Sequence, residues 1–378
     1  MKDFFAGIQR WFSKAFNLPV LQENRWPWVD YLRGIAIILV VYRHVLIGIE
    51  RSGISIPTPL VDANMIFFSF RMPLFFILSG IFINSSIAKR TIKQLIFIKF
   101  ENLLYPYLIW SFLQITVQIL FSRFTNADRS LIDYTYILYQ PRNLDQFWYL
   151  PALFNTTIIY ILIKTKLKPA IWQQFIIGLV FYLLSPYFQR VSMMSDWMAF
   201  YIFFVLGDAI SKFFFKDSTQ RFLKRKLTFF VIIPVFILTQ IFYLSQDQNF
   251  YLNDSIGQLE FLLIALIGCL SMFVVAFQMQ RWNILAILRV FGYHSLFIYV
   301  MHVFVAAFTR IVMQHLMGIY DPVILLFTGI FFGVTIPVIF YNFLIKDNIL
   351  WFLFSLRKKH EKPLPAKKWP QGQLHPEK

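Results

Sequence analysis

The chain has 378 residues, of which 58% are hydrophobic and 20% are aromatic. Soluble domains are normally about 45–50% apolar, so this composition excludes an ordinary soluble protein and indicates a polytopic membrane protein. The net charge is +17, but Lys and Arg lie mainly in short loops, where they set topology and contact membrane lipids. We therefore expect no nucleic-acid partner. The single cysteine, Cys269, excludes an intrachain disulfide and a thiolate metal cluster, and we expect neither a metal site nor a bound cofactor.

Three regions follow one another along the chain. Residues 1–24 are predicted to form an amphipathic segment on the membrane surface, because apolar side chains recur near helical spacing between Phe4 and Phe16. Residues 25–350 form the predicted membrane domain. Residues 351–378 are rich in Pro and Lys, which predicts a basic, disordered cytoplasmic tail.

Ten apolar segments are long enough to cross a bilayer. Backbone amides in lipid need internal partners, and no alternating ten-residue strands occur, so an all-α fold is predicted. Pro106 should kink the third segment. The predicted spans are 31–49, 61–85, 95–122, 147–163, 170–188, 197–215, 227–245, 256–280, 284–307 and 322–345.

Positive charge alternates between successive loops. The loops near residues 89–93, 164–168 and 216–226 are rich in Lys and Arg, whereas 245–255 has no positive charge. Under the positive-inside rule, this pattern places both termini in the cytoplasm. We predict a multi-pass protein of the cytoplasmic (inner) membrane.

The first span carries ionisable residues on one face. Arg33 and His44 are 11 positions apart in the sequence, which places them within about 20° of the same helix face and about 16 Å apart along the axis. Asp30 lies one turn before Arg33 and can pair with it. Charges in mid-bilayer are costly and usually functional. The alternatives are that Arg33 is a snorkelling anchor and that His44 is a hydrogen-bonded structural histidine.

Other spans also contain ionisable residues. Arg71 lies in the middle of the second span, so it needs an anion or an acidic partner. Asp208 and Glu260 lie in the sixth and eighth spans, and for both the alternative to a site role is pairing with Arg71 or Arg289.

His294 and His302 lie eight residues apart in the predicted ninth span, on one helix face. The chain has no HExxH, Walker or GxSxG motif, which argues against a zinc protease, an ATPase and an α/β-type serine hydrolase. Ionisable residues in helices also fit a transporter or flippase for a lipid-linked or anionic solute, or a non-catalytic assembly subunit. The absence of an internal repeat mildly favours an enzyme.

These segments together resemble the acyltransferase-3 family of integral membrane acyltransferases. The first-helix sequence DYLRGIAIILVVYRH has the family's Asp, Leu-Arg-Gly and distal His. Where members often carry Arg-x-x-Arg before the Pro-Tyr of helix 3, this chain has KFEN, and only Lys99 keeps a positive charge. The resemblance covers about residues 25–345 and includes PLFFILSGIFI (73–83), LLYPYLIW (103–110), FWYLPALF (147–154) and GYHSLFIYVMH (292–302).

The resemblance implies transfer of an acyl group, usually acetyl, from cytoplasmic acyl-CoA to a hydroxyl of an envelope glycan or lipid-linked sugar. The shorter members that are most similar O-acetylate sugars, including fucose-type acetylases. On this interpretation Arg33 and Lys99 bind the donor phosphates, and His44 is the general base or carries the acyl group briefly. Arg71, Ser79 or His302 would stabilise the oxyanion, with Arg71 preferred. The candidate residues are His44, Arg71 and His302 for catalysis, and Asp30, Arg33, Ser79, Lys99, Trp148, Glu260 and His294 for substrate binding.

Overall fold

The computed structural model describes residues 2–23, 26–122, 128–247, 249–346 and 348–357, with side chains from residue 6 onward. Within these ranges the secondary structure is helical and contains no strand. Among the described residues, ten helices are long and apolar enough to cross a membrane, which confirms the predicted all-α, multi-pass architecture. They are α1 (Pro27–Glu50), α2 (Thr58–Lys89), α3 (Ile92–Leu120), α4 (Pro141–Leu167), α5 (Ile171–Phe188), α6 (Met194–Phe214), α7 (Lys226–Ser245), α8 (Ser255–Trp282), α9 (Ser295–Leu316) and α10 (Pro322–Ile345).

The predicted ninth span, 284–307, is wrong because it begins too early: the helix begins at Ser295. Asn283 and Leu285 have positive φ angles of 50° and 51°, which end α8 and turn the chain. A separate short helix, Ile287–Tyr293, then packs against α1 before α9 begins at Ser295. Hydropathy could not locate this break, because the residues on both sides of it are apolar.

Pro106 distorts α3 as the sequence predicted. Proline has no N–H and its ring clashes with the preceding turn of an α-helix. The chain accommodates it with a π-helical segment, Phe100–Leu104, in which the N–H of Tyr105 bonds to the carbonyl of Phe100. Such segments inside helices often mark functional sites. This one directly follows Lys99.

Helices α1 and α2 lie at the centre of the bundle. Helix α1 contacts α2, α8, α9 and α10, while α2 also contacts α6 and α8. By contrast, α7 exposes a broad apolar face that includes Phe230, Leu238 and Ile241. An apolar face on a membrane helix suits lipid contact, so the polar residues of α1 and α2 are placed inside and α7 lies at the periphery.

Glycines allow these helices to approach closely. A Cβ atom at Gly80 would clash with the carbonyl oxygen of Phe204, and one at Gly207 would clash with that of Ile77. Small residues at such crossings are typical of membrane helices. Gly34 has the same role, because a Cβ there would clash with the backbone of Leu288 in the short helix.

We expect Gly80→Ala to destabilise the protein, because the added methyl group meets backbone and not a movable side chain. Overpacking of this kind costs about 1–3 kcal/mol, measurable as a lower melting temperature of purified protein. The matched control is Gly48→Ala in α1, where a Cβ meets nothing within 4 Å. Equal melting temperatures for the two variants would contradict this account of the α2–α6 crossing.

The predicted N-terminal helix is present and spans Lys2–Phe16. Ile8, Trp11 and Phe12 are about half exposed, whereas Phe16 is buried. Its position on the membrane surface stays a prediction.

The segment after α10 returns to the bundle before the described part of the chain ends. Residues Ile349–Leu353 form a 3-10 turn, and the indole of Trp110 donates to the carbonyl of Leu353 at 3.2 Å. Residues 358–378, most of the predicted tail, lie outside the described residues.

Candidate active site

Two histidines from distant parts of the chain meet in the bundle. His44 lies on α1 and His302 on α9, and their ring centres are 5.1 Å apart. His302 is fully buried, and His44 is partly buried. The two histidines assigned to catalysis are therefore neighbours.

The hydrogen bonds of His302 define its tautomer. Nδ1 lies 2.7 Å from the carbonyl oxygen of Tyr299 and 3.0 Å from that of Ile298. A carbonyl only accepts, so Nδ1 carries the proton and Nε2 keeps its lone pair. Nε2 is buried and has no hydrogen-bond partner in the part of the chain that the structure describes. An imidazole nitrogen without a partner among the described residues therefore lies next to His44.

Arg71 is buried in α2, with 3% of its surface exposed. Its Nη1 donates to the side-chain carbonyl of Asn64 at 3.1 Å. Its guanidinium carbon lies 5.6 Å from the ring centre of Phe68, and that of Arg43 lies 5.6 Å from the same ring. The positive charges of Arg43 and Arg71 both act on His44. A pair of cations therefore flanks the histidines.

The alternative given for Asp208 and Glu260, an ion pair with Arg71 or Arg289, is not found among the residues that the structure describes. Asp208 of α6 instead binds Lys164 near the end of α4, with Oδ2 and Nζ 2.6 Å apart. Glu260 is partly exposed on α8 and forms no ion pair with a described residue. Sequence alone could not pair Asp208 with Lys164, because the two residues lie on different helices.

The opposite end of α1 is basic. The charges of Arg33 and Lys99 interact, and Arg33 also acts on the hydroxyl of Tyr149. Asp30 is buried, and its backbone packs against Gly292 of the short helix. The structure thus brings together Arg33 and Lys99, the two residues predicted to bind the donor.

Tyrosines connect this basic end to the histidine pair. The ring centres of Tyr149 and Tyr299 are 5.4 Å apart, and those of Tyr299 and His302 are 6.3 Å apart. The Tyr299 hydroxyl donates to the carbonyl of Gln146. Sequence analysis assigned no role to these tyrosines, although both lie within motifs quoted above. In a chain with 18 Tyr and 46 Phe, an aromatic residue by itself carries little signal.

Trp148 lies on α4 between a ring and a cation. Its ring stacks on Phe200 with centres 5.6 Å apart, and the guanidinium of Arg142 lies 4.4 Å from its centre. Arg142 also forms an ion pair with Asp196. The tryptophan is therefore held rigidly where α4 and α6 meet.

Ser79 and His294 are engaged by the protein itself. The Ser79 hydroxyl donates to the carbonyl of Phe75 at 2.8 Å, within its own helix. His294 Nδ1 lies 2.8 Å from the carbonyl of Val290, and Nε2 lies 3.2 Å from the amide of Asn342. His294 thus links the start of α9 to α10, and its role in substrate binding stays a prediction.

A family profile described as an acyltransferase domain matches residues 26–342, from the start of α1 into α10. Searches of curated proteins and of solved structures gave no significant match. The matched range includes His44, Arg71 and His302. The chain belongs to the acyltransferase-3 family, and it is a multi-pass membrane acyltransferase.

Proposed function

We propose that this protein transfers an acyl group, acetyl in our expectation, from cytoplasmic acyl-CoA to a hydroxyl of an envelope glycan or lipid-linked sugar. The observation that carries the proposal is the pair formed by His44 and His302, in which Nε2 of His302 has no partner among the described residues. The chemistry of this pair suits proton transfer from a hydroxyl.

The donor binds at the basic end of α1 in this proposal. Arg33 and Lys99 supply positive charge for the phosphates of the nucleotide, and a guanidinium can bind phosphate oxygens with two parallel hydrogen bonds. The slender thioester arm then runs along Tyr149 and Tyr299 to the histidines.

The reaction needs one general base and one group that donates hydrogen bonds to the oxyanion. The acceptor oxygen attacks the thioester carbonyl carbon while His44 takes the hydroxyl proton. The guanidinium of Arg71 stabilises the negative charge that develops on the carbonyl oxygen. The carbon–sulfur bond then breaks, and the CoA sulfur leaves with the proton returned by His44. Transfer by way of an acyl-histidine is the variant of this scheme in which His44 attacks first.

In this proposal both termini lie in the cytoplasm and the protein lies in the inner membrane; charge distribution supports the orientation. Positive residues in the loops near 89–93 and 216–226 outnumber the carboxylates there. On the opposite side, arginines are paired with aspartates: Arg51 with Asp145, Arg129 with Asp133, and Arg142 with Asp196. Excess positive charge therefore lies on one side, as the positive-inside rule requires of the cytoplasm.

The direct test uses purified protein in lipid nanodiscs with radiolabelled acetyl-CoA and extracts of envelope glycans or lipid-linked sugars. We expect release of free CoA thiol together with label in the sugar fraction. Movement of an anionic solute into vesicles without any labelled product would instead support a transporter and overturn the proposal.

We expect Arg33→Gln to raise the KM for acyl-CoA. A charge-assisted hydrogen bond is worth about 1.5–3 kcal/mol, which corresponds to a ten- to hundredfold change. Steady-state rates at varied donor concentration provide the measurement. Lys93→Gln, an exposed residue of the nearby basic loop, serves as the control and should leave the KM unchanged. A rise confined to the KM for the sugar would contradict this assignment.

A further inference from the structure

Two cations next to His44 lack acceptors for most of their donors. A guanidinium has five N–H groups. Arg71 places one of them on Asn64, and Arg43 makes no hydrogen bond or ion pair with any described residue. Both lie against the ring of Phe68 in the interior of a membrane bundle, where unpaired charge is costly. An anion bound between Arg43 and Arg71 would accept hydrogen bonds from both guanidiniums and neutralise part of their charge.

The hydroxyl of Tyr243 is a third hydrogen-bond donor near Arg43 and Arg71. Tyr243 on α7 is 3% exposed, and its hydroxyl has no hydrogen-bond partner among the residues that the structure describes. The hydroxyl interacts electrostatically with Arg43 and Arg71. Guanidiniums offer no acceptor, so the O–H proton of Tyr243 lacks one too. An unsatisfied buried hydroxyl is costly unless a ligand supplies the acceptor.

Aromatic rings enclose these three donors. Tyr251 stacks on Phe261 with ring centres 4.4 Å apart, and Phe261 lies 5.8 Å from Tyr243 and 6.0 Å from Phe68. Apolar walls around a few convergent polar groups are the usual construction of a small-molecule site. They also lower the local dielectric, which strengthens binding of an anion by guanidiniums.

Two other arginines near this cluster do have carboxylate partners. Arg51 and Arg142 are both ion-paired, with Asp145 and Asp196. Among the described residues no carboxylate does the same for Arg43 or Arg71. No described carboxylate therefore neutralises the charges of Arg43 and Arg71 next to His44, whereas the charges of Arg51 and Arg142 are neutralised.

We propose that the acyl acceptor is anionic and that Arg43, Arg71 and Tyr243 bind its phosphate or carboxylate group, which places an acceptor hydroxyl at His44. Arg71 has four N–H groups beyond the one on Asn64, enough for this anion and for the carbonyl oxygen of the thioester. The acceptor role of this ligand rests on the proposed function. The site itself rests on the three unsatisfied donors and is testable without catalysis.

The test measures equilibrium binding of radiolabelled probes to purified protein in the absence of acyl-CoA. The probes are glucose 1-phosphate, methyl glucuronide and the neutral methyl glucoside. We expect at least one anionic probe to bind about tenfold or more tightly than the neutral one. Arg43→Gln should weaken that binding about ten- to hundredfold, the value of one charge-assisted hydrogen bond.

Tyr243→Phe removes only the hydroxyl and keeps the ring, so it tests the site even where Arg43→Gln lowers the yield of folded protein. We expect it to weaken anion binding about three- to tenfold, the value of one neutral hydrogen bond. The control is Arg310→Gln, a half-buried arginine of α9 outside the cluster, which should bind as wild type does. Anion binding that is no tighter than neutral binding, or that survives both variants, overturns the proposal.

The two anionic probes separate the possible sources of the charge. Tight binding of glucose 1-phosphate alone indicates a phosphate, as in a lipid-linked sugar, and tight binding of methyl glucuronide alone indicates an acidic sugar. Failure of anion binding overturns this site and leaves the transfer assay unaffected. Failure of acyl transfer with intact anion binding overturns the proposed function and leaves the anion site in place.

Discussion

Replacing His44 with Gln is expected to lower kcat for acyl transfer about 10²–10⁴-fold, the contribution typical of a positioned general base. Glutamine keeps a polar side chain of similar length but takes up no proton at neutral pH. In the proposed mechanism the donor binds at Arg33 and Lys99, at the other end of α1, so the KM for acyl-CoA should stay close to that of wild type. Release of CoA thiol and label in the sugar give two independent readouts.

His315 offers the matched control for His44. It is an exposed histidine near the end of α9, and His315→Gln should retain wild-type activity. Melting temperature and size-exclusion profiles establish that each variant is folded. A folded His44→Gln protein with wild-type turnover would exclude His44 as the base. His302, whose Nε2 has no partner in the described part of the chain, would then be the next candidate.

Asp208→Leu is expected to produce the largest loss of stability among the variants considered. The Asp208 carboxylate binds the ammonium group of Lys164 at 2.6 Å and accepts hydrogen bonds from Tyr160 and Asn84. The side chain of Asp208 is only 5% exposed. Removing one member of a buried ion pair costs about 3–5 kcal/mol. We expect the lower end of that range, because Lys164 is partly exposed and can reach water.

Unfolding in a denaturing detergent, followed by tryptophan fluorescence, measures this effect. The control is the double variant Asp208→Leu with Lys164→Met, which removes both charges and should recover part of the lost free energy. A double variant no more stable than the single one would show that the charge of Lys164 is not what destabilises the protein. Below its melting temperature the single variant should retain activity, since neither residue lies among the groups that contact His44.

The same network explains how three helices are joined. Asn84 belongs to α2, Lys164 and Tyr160 to α4, and Asp208 to α6. The Lys164 ammonium also donates to the side-chain carbonyl of Asn84 at 2.6 Å. Hydrogen-bonded polar groups between membrane helices stabilise their association, in addition to close packing at small residues. Gly80 and Gly207 provide that packing between α2 and α6.

The sequence by itself determined the membrane character, the number of helices long enough to cross a membrane, and the helix face that Arg33 and His44 share. These features follow from quantities that are local in the chain. A predominantly apolar segment of about 20 residues is long enough to span a bilayer, and a period of 3.6 residues places Arg33 and His44 on one helix face whatever surrounds them. The distortion at Pro106 is equally local, because it follows from the chemistry of one residue.

Only the tertiary structure decided which polar groups meet. His44 contacts His302 and not His294, Asp208 pairs with Lys164 and not with an arginine, and Tyr243 faces Arg43 across helices far apart in sequence. The turn at Asn283 also set the true start of α9. The physical reason is that contacts between helices depend on rotation and crossing, which glycines such as Gly34 and Gly80 permit. Hydropathy contains no information about either rotation or crossing.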